Sequence, residues 1–187
     1  MLKYIPNLIT ILRFLMFPAI CSSVFYGFRD GNMALQIAGS VLFAVAMISD
    51  FLDGFLARIW KVESEFGRCF DNIADKVLNI SLICTLLALQ RIPLIPSLMV
   101  IFREIFISAL REYAAVNGAR IAVDMLGKVK TTFQFIGLFL IINVNLFDLN
   151  FSLYKAGNYI FYASAALSLL SCVIYIRKYF YIFYDAK

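Results

Sequence analysis

Long apolar stretches separated by short clusters of charge set the pattern of this chain. Three runs contain no charged residue at all: Gly31–Ser49 with nineteen residues, Thr131–Phe147 with seventeen and Ala156–Ile176 with twenty-one. A helix needs roughly 20 apolar residues to cross the hydrocarbon layer of a bilayer. The pattern predicts six spans, over residues 11–29, 32–58, 70–90, 92–116, 127–147 and 156–179. Each should be helical, because lipid offers no partner to an unpaired backbone group. Pro93 and Pro96 suit the first turns of the fourth span, where a missing N–H costs least. Pro18 falls inside the first span and should bend it. Residues 1–10, with Pro6 and Asn7, read as an interfacial stretch leading into the first span. No linker or low-complexity tract divides the chain, so residues 1–187 read as one membrane domain.

Composition narrows the picture. Of 187 residues 63% are hydrophobic and only 16% charged, and mean hydropathy is +0.85. A soluble domain has about 45–50% apolar and about 25% charged residues, so the fold class is an all-α, polytopic membrane protein surrounded by membrane lipids. The chain has no histidine, which removes histidine acid–base chemistry and histidine metal ligation. Cys21, Cys69, Cys84 and Cys172 show no metal-ligand spacing and read as small hydrophobes. No cleavable signal is expected, since Met1–Arg13 lacks a charged n-region followed by a cleavage site. The net charge of +5 is small, and no nucleic-acid partner is expected.

The placement of the charges matters more. If both termini and the 2–3 and 4–5 connections face the cytoplasm, that side holds fourteen of the seventeen Lys and Arg residues, leaving Arg29, Arg91 and Lys155 outside. The excess of positive charge inside predicts cytoplasmic termini. Tyr175, Tyr179, Tyr181 and Tyr184, like Trp60, read as an interfacial aromatic belt.

Four aspartates stand out: Asp50 and Asp53 near the end of the second span, Asp71 and Asp75 near the start of the third. At about 100° per residue, Asp50, Asp53, Gly54, Ala57 and Arg58 share an arc of about 140°. Gly67, Asp71 and Asp75 fall at about 0°, 40° and 80° if their segment is helical. Both pairs thus lie near one membrane face. The plain alternative is a set of charged helix ends that only define topology. Against it, an Asp deep in lipid costs about 2.5–3.5 kcal/mol even on lenient scales, and clustered carboxylates repel unless a cation sits among them. Oxygen donors without His or Cys point to Mg²⁺ or Mn²⁺. Gly54, Ala57 and Gly67 would let a bulky ligand approach the backbone or, equally, let helices pack closely. Arg58 can pair with phosphate oxygens.

The pattern D-x2-D-G-x2-A-R-x8-G-x3-D-x3-D, complete from Asp50 to Asp75, resembles the signature of the CDP-alcohol phosphatidyltransferases. The resemblance implies a six-helix membrane enzyme, usually a homodimer, with its site open to the cytoplasmic leaflet. It implies that an alcohol attacks the lipid-bearing phosphorus of a CDP-linked lipid and CMP leaves. It also implies two divalent ions on Asp50, Asp53, Asp71 and Asp75, with Asp75 as general base. Gly54, Ala57, Arg58 and Gly67 would line the CDP site, and Asn7 and Thr10 would support its CDP end. One departure is Asn72, where the pattern expects proline.

A second constellation concerns the acceptor. Arg103 and Arg111 lie toward the cytoplasmic end of the fourth span, and Lys128 and Lys130 open the fifth, where free N–H groups also favour an anion. The bland reading is positive-inside residues meeting anionic headgroups. Glu104 and Glu112 are expected to pair with nearby bases. With Ile5-Pro-Asn7, Arg103-Glu104 and Gly127-Lys-Val-Lys-Thr-Thr132, the chain over roughly residues 5–140 resembles the bacterial branch of the family that uses glycerol 3-phosphate. That resemblance implies transfer of a phosphatidyl group from CDP-diacylglycerol to glycerol 3-phosphate at the bacterial inner membrane. The last quarter of the chain matches only in hydropathy. Other acceptors (serine, inositol phosphate or phosphatidylglycerol), a cation transporter and an inactive scaffold are the competing readings.

Overall fold

The computed structural model describes residues 5–60, 65–116, 125–146 and 150–179, which are helical apart from short turns; side-chain surroundings are described over 14–49, 73–74, 76–116, 125–145 and 152–179. Six helices follow one another: α1 (Ile5–Arg29), α2 (Met33–Trp60), α3 (Glu65–Ala88), α4 (Leu94–Val116), α5 (Met125–Ile142) and α6 (Asn150–Tyr179), with a 3₁₀ turn at Val144–Leu146. No strand occurs among the described residues. Each expected span has its helix, but the ends differ. The first helix begins at Ile5 and not at residue 11, so most of the stretch expected to be an interfacial lead-in is already helical. The third begins at Glu65 and not at 70, and the last at Asn150 and not at 156. Polar residues at these ends hide helix from a hydropathy reading, because a helix can extend beyond its apolar part.

The chain forms two compact units, Met1–Arg91 with Ile142–Asn150 and Ile92–Ile141 with Phe151–Lys187. In the first, α1 packs against α2 and α3 around Ile20, Val24, Phe43, Ala46, Leu78, Leu82 and Leu86. Gly31 takes the left-handed conformation (φ 65°) in the α1–α2 turn, and Asn32 caps α2 by accepting the Leu35 N–H at 3.2 Å. Such a cap satisfies one of the four free N–H groups at a helix start. At the end of α3, Gln90 takes φ 54°, while the N–H groups of Gln90 and Arg91 bond to the carbonyls of Leu87 and Leu86. That is a Schellman closure with glutamine where glycine is usual. Arg91 then lies over the Phe28 ring at 4.6 Å. Buried polar groups brace the start of α2: Gln36 donates to the Ile142 carbonyl at 2.5 Å and accepts from Asn145 at 3.1 Å, and Ser40 donates to Asn143 at 2.8 Å.

In the second unit, burial on α4 recurs at Ser97, Val100, Arg103, Ile107, Leu110 and Ala114, a helical stripe of three- and four-residue steps. Ile107, Leu110 and Ala114 pack on Cys172, Tyr175 and Tyr179 of α6. The expected aromatic belt is therefore corrected at two positions: Tyr175 and Tyr179 are buried core residues, and Tyr181 and Tyr184 lie outside the described residues. Helices α5 and α6 approach backbone to backbone at a glycine pair. A Cβ on Gly137 would stand 3.0 Å from the Gly157 carbonyl oxygen, and one on Gly157 would stand 3.1 Å from that of Gly137. Small residues at helix crossings permit this approach.

The second unit exposes large apolar side chains and buries several polar ones. Leu94, Ile95, Leu98, Phe102 and Ile105 are exposed on α4, while Arg103, Lys130, Gln134, Ser164, Ser168 and Ser171 are buried. Met125–Ile142 and Ser152–Tyr179 are long and apolar enough to cross a membrane. Apolar outward faces, with the polar groups of the spans turned inward, suit a lipid surround.

Gly137→Val should separate α5 from α6, because the opposing atoms belong to the backbone and have no rotamer to give. The expected loss is about 1–3 kcal/mol, read as a lowered Tm of the detergent-solubilised protein.

Candidate functional site

The four aspartates lie on helix, as their spacing requires. α2 runs through Asp50, Asp53, Gly54, Ala57 and Arg58 to Trp60, and α3 is helical from Glu65 through Gly67, Asp71 and Asp75. The condition attached to the 0°, 40° and 80° spacing is met, and Asn72 does not interrupt α3. The side chains of these residues, and of Asn7 and Thr10 on α1, lie outside the described residues. The donor set is nevertheless informative: four carboxylates on two successive helices, in a chain without histidine, suit a hard divalent ion.

The second constellation is built by the buried stripes of the second unit. On α4 the step from Val100 to Arg103 to Ile107 places a guanidinium where an apolar residue would ordinarily sit, and Arg103 is 4% exposed. On α5 the stripe runs Gly127, Lys130, Gln134, Gly137, Leu138 and Ile141, and Lys130 is 1% exposed. Burying a charge is tolerable only when another group answers it. Glu104 supplies that answer: its carboxylate is paired with the Lys130 ammonium and, at a long 3.4 Å, with Nη1 of Arg103. The sequence expectation that Glu104 pairs with nearby bases holds.

Helix α6 completes the arrangement. Nη2 of Arg103 donates to Oγ of Ser171 at 2.9 Å. Two turns along α4, Arg111 donates to the Tyr175 hydroxyl at 2.9 Å, with its guanidinium 5.4 Å from the centre of the Tyr175 ring. The Nε atoms of both arginines are buried and have no acceptor among the described residues. Each guanidinium thus keeps donor capacity that the described residues do not use, in surroundings where an unused donor is costly. Gly127 leaves room beside Arg103, since a Cβ there would stand 3.7 Å from Nη2.

Of the four expected cations, the structure brings Arg103 and Lys130 together around Glu104 and sets Arg111 against α6. Lys128 is exposed near the start of α5 and is not part of the buried cluster. Sequence reasoning missed Ser171 and Tyr175. The available signal was the recurrence of Ser164, Ser168, Ser171 and Tyr175 at three- and four-residue steps in an otherwise apolar segment.

The spaced carboxylates belong to the first unit and the buried guanidinium and ammonium groups to the second, and groups of both kinds suit charged, phosphate-bearing ligands. The chain belongs to the CDP-alcohol phosphatidyltransferase family, whose model matches residues 3–173. It is 34% identical over 181 residues to the CDP-diacylglycerol–glycerol-3-phosphate 3-phosphatidyltransferase of Rickettsia felis, covering 95% of this chain and 98% of the relative. The Salmonella choleraesuis protein of the same name is 35% identical over 178 residues, covering 92% of each chain. Among solved structures, the phosphatidylinositol phosphate synthase of Mycobacterium tuberculosis in its apo form has the same fold. Its TM-score is 0.64 at 20% identity, over 94% of this chain and 88% of that one.

Glu104→Gln would remove the carboxylate paired with the buried Lys130 ammonium, and breaking a buried pair costs about 3–5 kcal/mol. The expected result is a large fall in Tm. Glu104→Gln combined with Lys130→Met should recover part of it, because the buried ammonium charge is removed along with the carboxylate.

Proposed function

We propose that this protein transfers a phosphatidyl group from CDP-diacylglycerol to sn-glycerol 3-phosphate, giving phosphatidylglycerophosphate and CMP. Relatives carrying that enzyme name align over more than nine-tenths of the chain, which supports the reading. The structural observation that carries it is Arg103: a buried guanidinium with an unused Nε donor, beside Lys130 and Glu104. A phosphorylated acceptor offers the anion such a group lacks, and planar guanidinium donors match phosphate oxygens well.

In this reading Arg103, Arg111 and Lys130 hold the acceptor's phosphate, and Lys128 contributes positive potential near the start of α5. Asp75 takes the proton of the terminal hydroxyl, whose oxygen attacks the diacylglycerol-bearing phosphorus. The bond from that phosphorus to the bridging oxygen breaks, and CMP departs with the bond's electron pair. Without histidine in the chain, a carboxylate is the suitable base. Gly54, Ala57, Arg58 and Gly67, with Asn7 and Thr10, bind the CDP part. Asp50, Asp53, Asp71 and Asp75 would hold two divalent ions, Mg²⁺ or Mn²⁺, which when bound neutralise pyrophosphate charge.

We further propose six transmembrane spans with both termini and the site on the cytoplasmic side of the bacterial inner membrane. The fourteen-to-three bias of Lys and Arg supports that orientation. The working state is a homodimer.

The test is CMP release by the purified protein from CDP-diacylglycerol, with and without glycerol 3-phosphate, and with a chelator. Release should require both the acceptor and a divalent ion. Asp75→Asn should lower turnover by at least about 10²-fold, as loss of a general base does, and Asp71→Asn should lower it by a similar factor through loss of a metal ligand, while Tm is retained. Release only with serine, or another acceptor lacking phosphate, would overturn the reading.

A further inference from the structure

No sequence motif assigned a functional role to α6. Yet α6 supplies both neutral partners of the arginines. Ser171 and Tyr175 are one turn apart on its buried face, with 0% and 2% exposure. Ser171 accepts from Nη2 of Arg103 and Tyr175 accepts from Nη2 of Arg111, each at 2.9 Å. A guanidinium on a four-torsion side chain has many orientations, and ordering it costs entropy. A partner that holds one edge of the fork fixes where the remaining donors point. In both arginines the edge left over includes Nε, buried and without an acceptor among the described residues.

The identity of these partners matters as well as their position. A carboxylate in place of Ser171 or Tyr175 would neutralise the arginine and compete with an incoming phosphate for it. A hydroxyl orients the guanidinium without cancelling its charge. The Tyr175 ring adds a face to Arg111 at 5.4 Å from the guanidinium carbon, again without anionic charge. Ser164, also buried on α6, acts differently: it donates to its own helix, to the Phe161 carbonyl at 2.7 Å.

We infer that Ser171 and Tyr175 are positioning residues for the acceptor. In this arrangement α6 presents two hydroxyl groups that aim Arg103 and Arg111 at the phosphate of the attacking alcohol while leaving their charge intact. The inference rests on the reading that these arginines hold the acceptor's phosphate. It assigns α6 a part in acceptor affinity and none in donor binding or proton transfer.

The test is steady-state kinetics of Ser171→Ala, Tyr175→Phe and, as a control of the same chemistry on the same helix, Ser164→Ala. KM for glycerol 3-phosphate should rise about tenfold in each of the first two, the scale of one lost hydrogen bond to a charged group. Inhibition by inorganic phosphate should weaken by a similar factor. KM for CDP-diacylglycerol and kcat at saturating acceptor should stay within about twofold, and Ser164→Ala should match the unsubstituted protein. Tyr175→Phe keeps the ring and Ser171→Ala introduces no bulk, so both should fold, with Tm as the check. An unchanged KM for glycerol 3-phosphate in both variants would overturn the inference, as would equal changes in both substrates' KM together with a lowered Tm. If the unsubstituted protein releases no CMP with glycerol 3-phosphate, the functional reading itself fails, a result distinct from either of these.

Discussion

A charge inside an apolar bundle must meet another charge or a hydrogen-bonding partner, and the second unit is organised around that requirement. Its outward residues on α4 are leucine, isoleucine and phenylalanine, while an arginine and a lysine are turned inward. Neither could remain there alone, since an isolated buried ion costs several kcal/mol even after relaxation. The Glu104 carboxylate holds α4 to α5 through Lys130, and the Arg103 guanidinium holds α4 to α6 through Ser171. Three helices are thereby fixed at one level by polar groups. Nonspecific apolar packing cannot set register in this way, because lipid is as apolar as leucine.

The partnering is incomplete in a way that bears on function. Arg103 shares a carboxylate with Lys130 at a distance too long to be strong, and its other partner is a neutral hydroxyl. Arg111 meets only the hydroxyl and ring of Tyr175 among its described contacts. A cluster meant solely for stability would supply a carboxylate for each cation. Here the cations are held in place while part of their charge and donor capacity is kept in reserve, which suits an anion that arrives and leaves with each turnover.

The first unit meets the same requirement with neutral groups. Gln36, Ser40, Asn143 and Asn145 satisfy one another and the Ile142 carbonyl at the start of α2. Such networks are tolerated in apolar surroundings when every member is paired. They tie the start of the long helix whose other end carries Asp50 and Asp53, and so limit how far that helix can slide or turn. Glycines at the α5–α6 crossing act similarly by shape, since a Cβ on Gly137 would stand only 3.0 Å from the Gly157 carbonyl oxygen, a closeness that leaves the backbones little freedom to shift.

Much of this was legible in one dimension. Apolar runs near membrane length, interrupted by charge, mark six helices, because a backbone in lipid has no alternative to satisfying itself. Carboxylates at three- and four-residue steps mark the metal-binding candidates, since helical periodicity alone places them together on a shared arc. Helix ends were read too short at Ile5, Glu65 and Asn150, because polar residues can continue a helix where hydropathy has already fallen. What the linear pattern could not decide was which tyrosines and serines turn inward. Tyr175 was indistinguishable from a membrane-interface tyrosine until packing put it against Leu110 and Arg111, and Ser171 looked like any small residue of an apolar helix. Spacing along one helix is local and therefore written in the chain. The choice of partner across helices depends on their relative rotation, which only the packed tertiary structure sets.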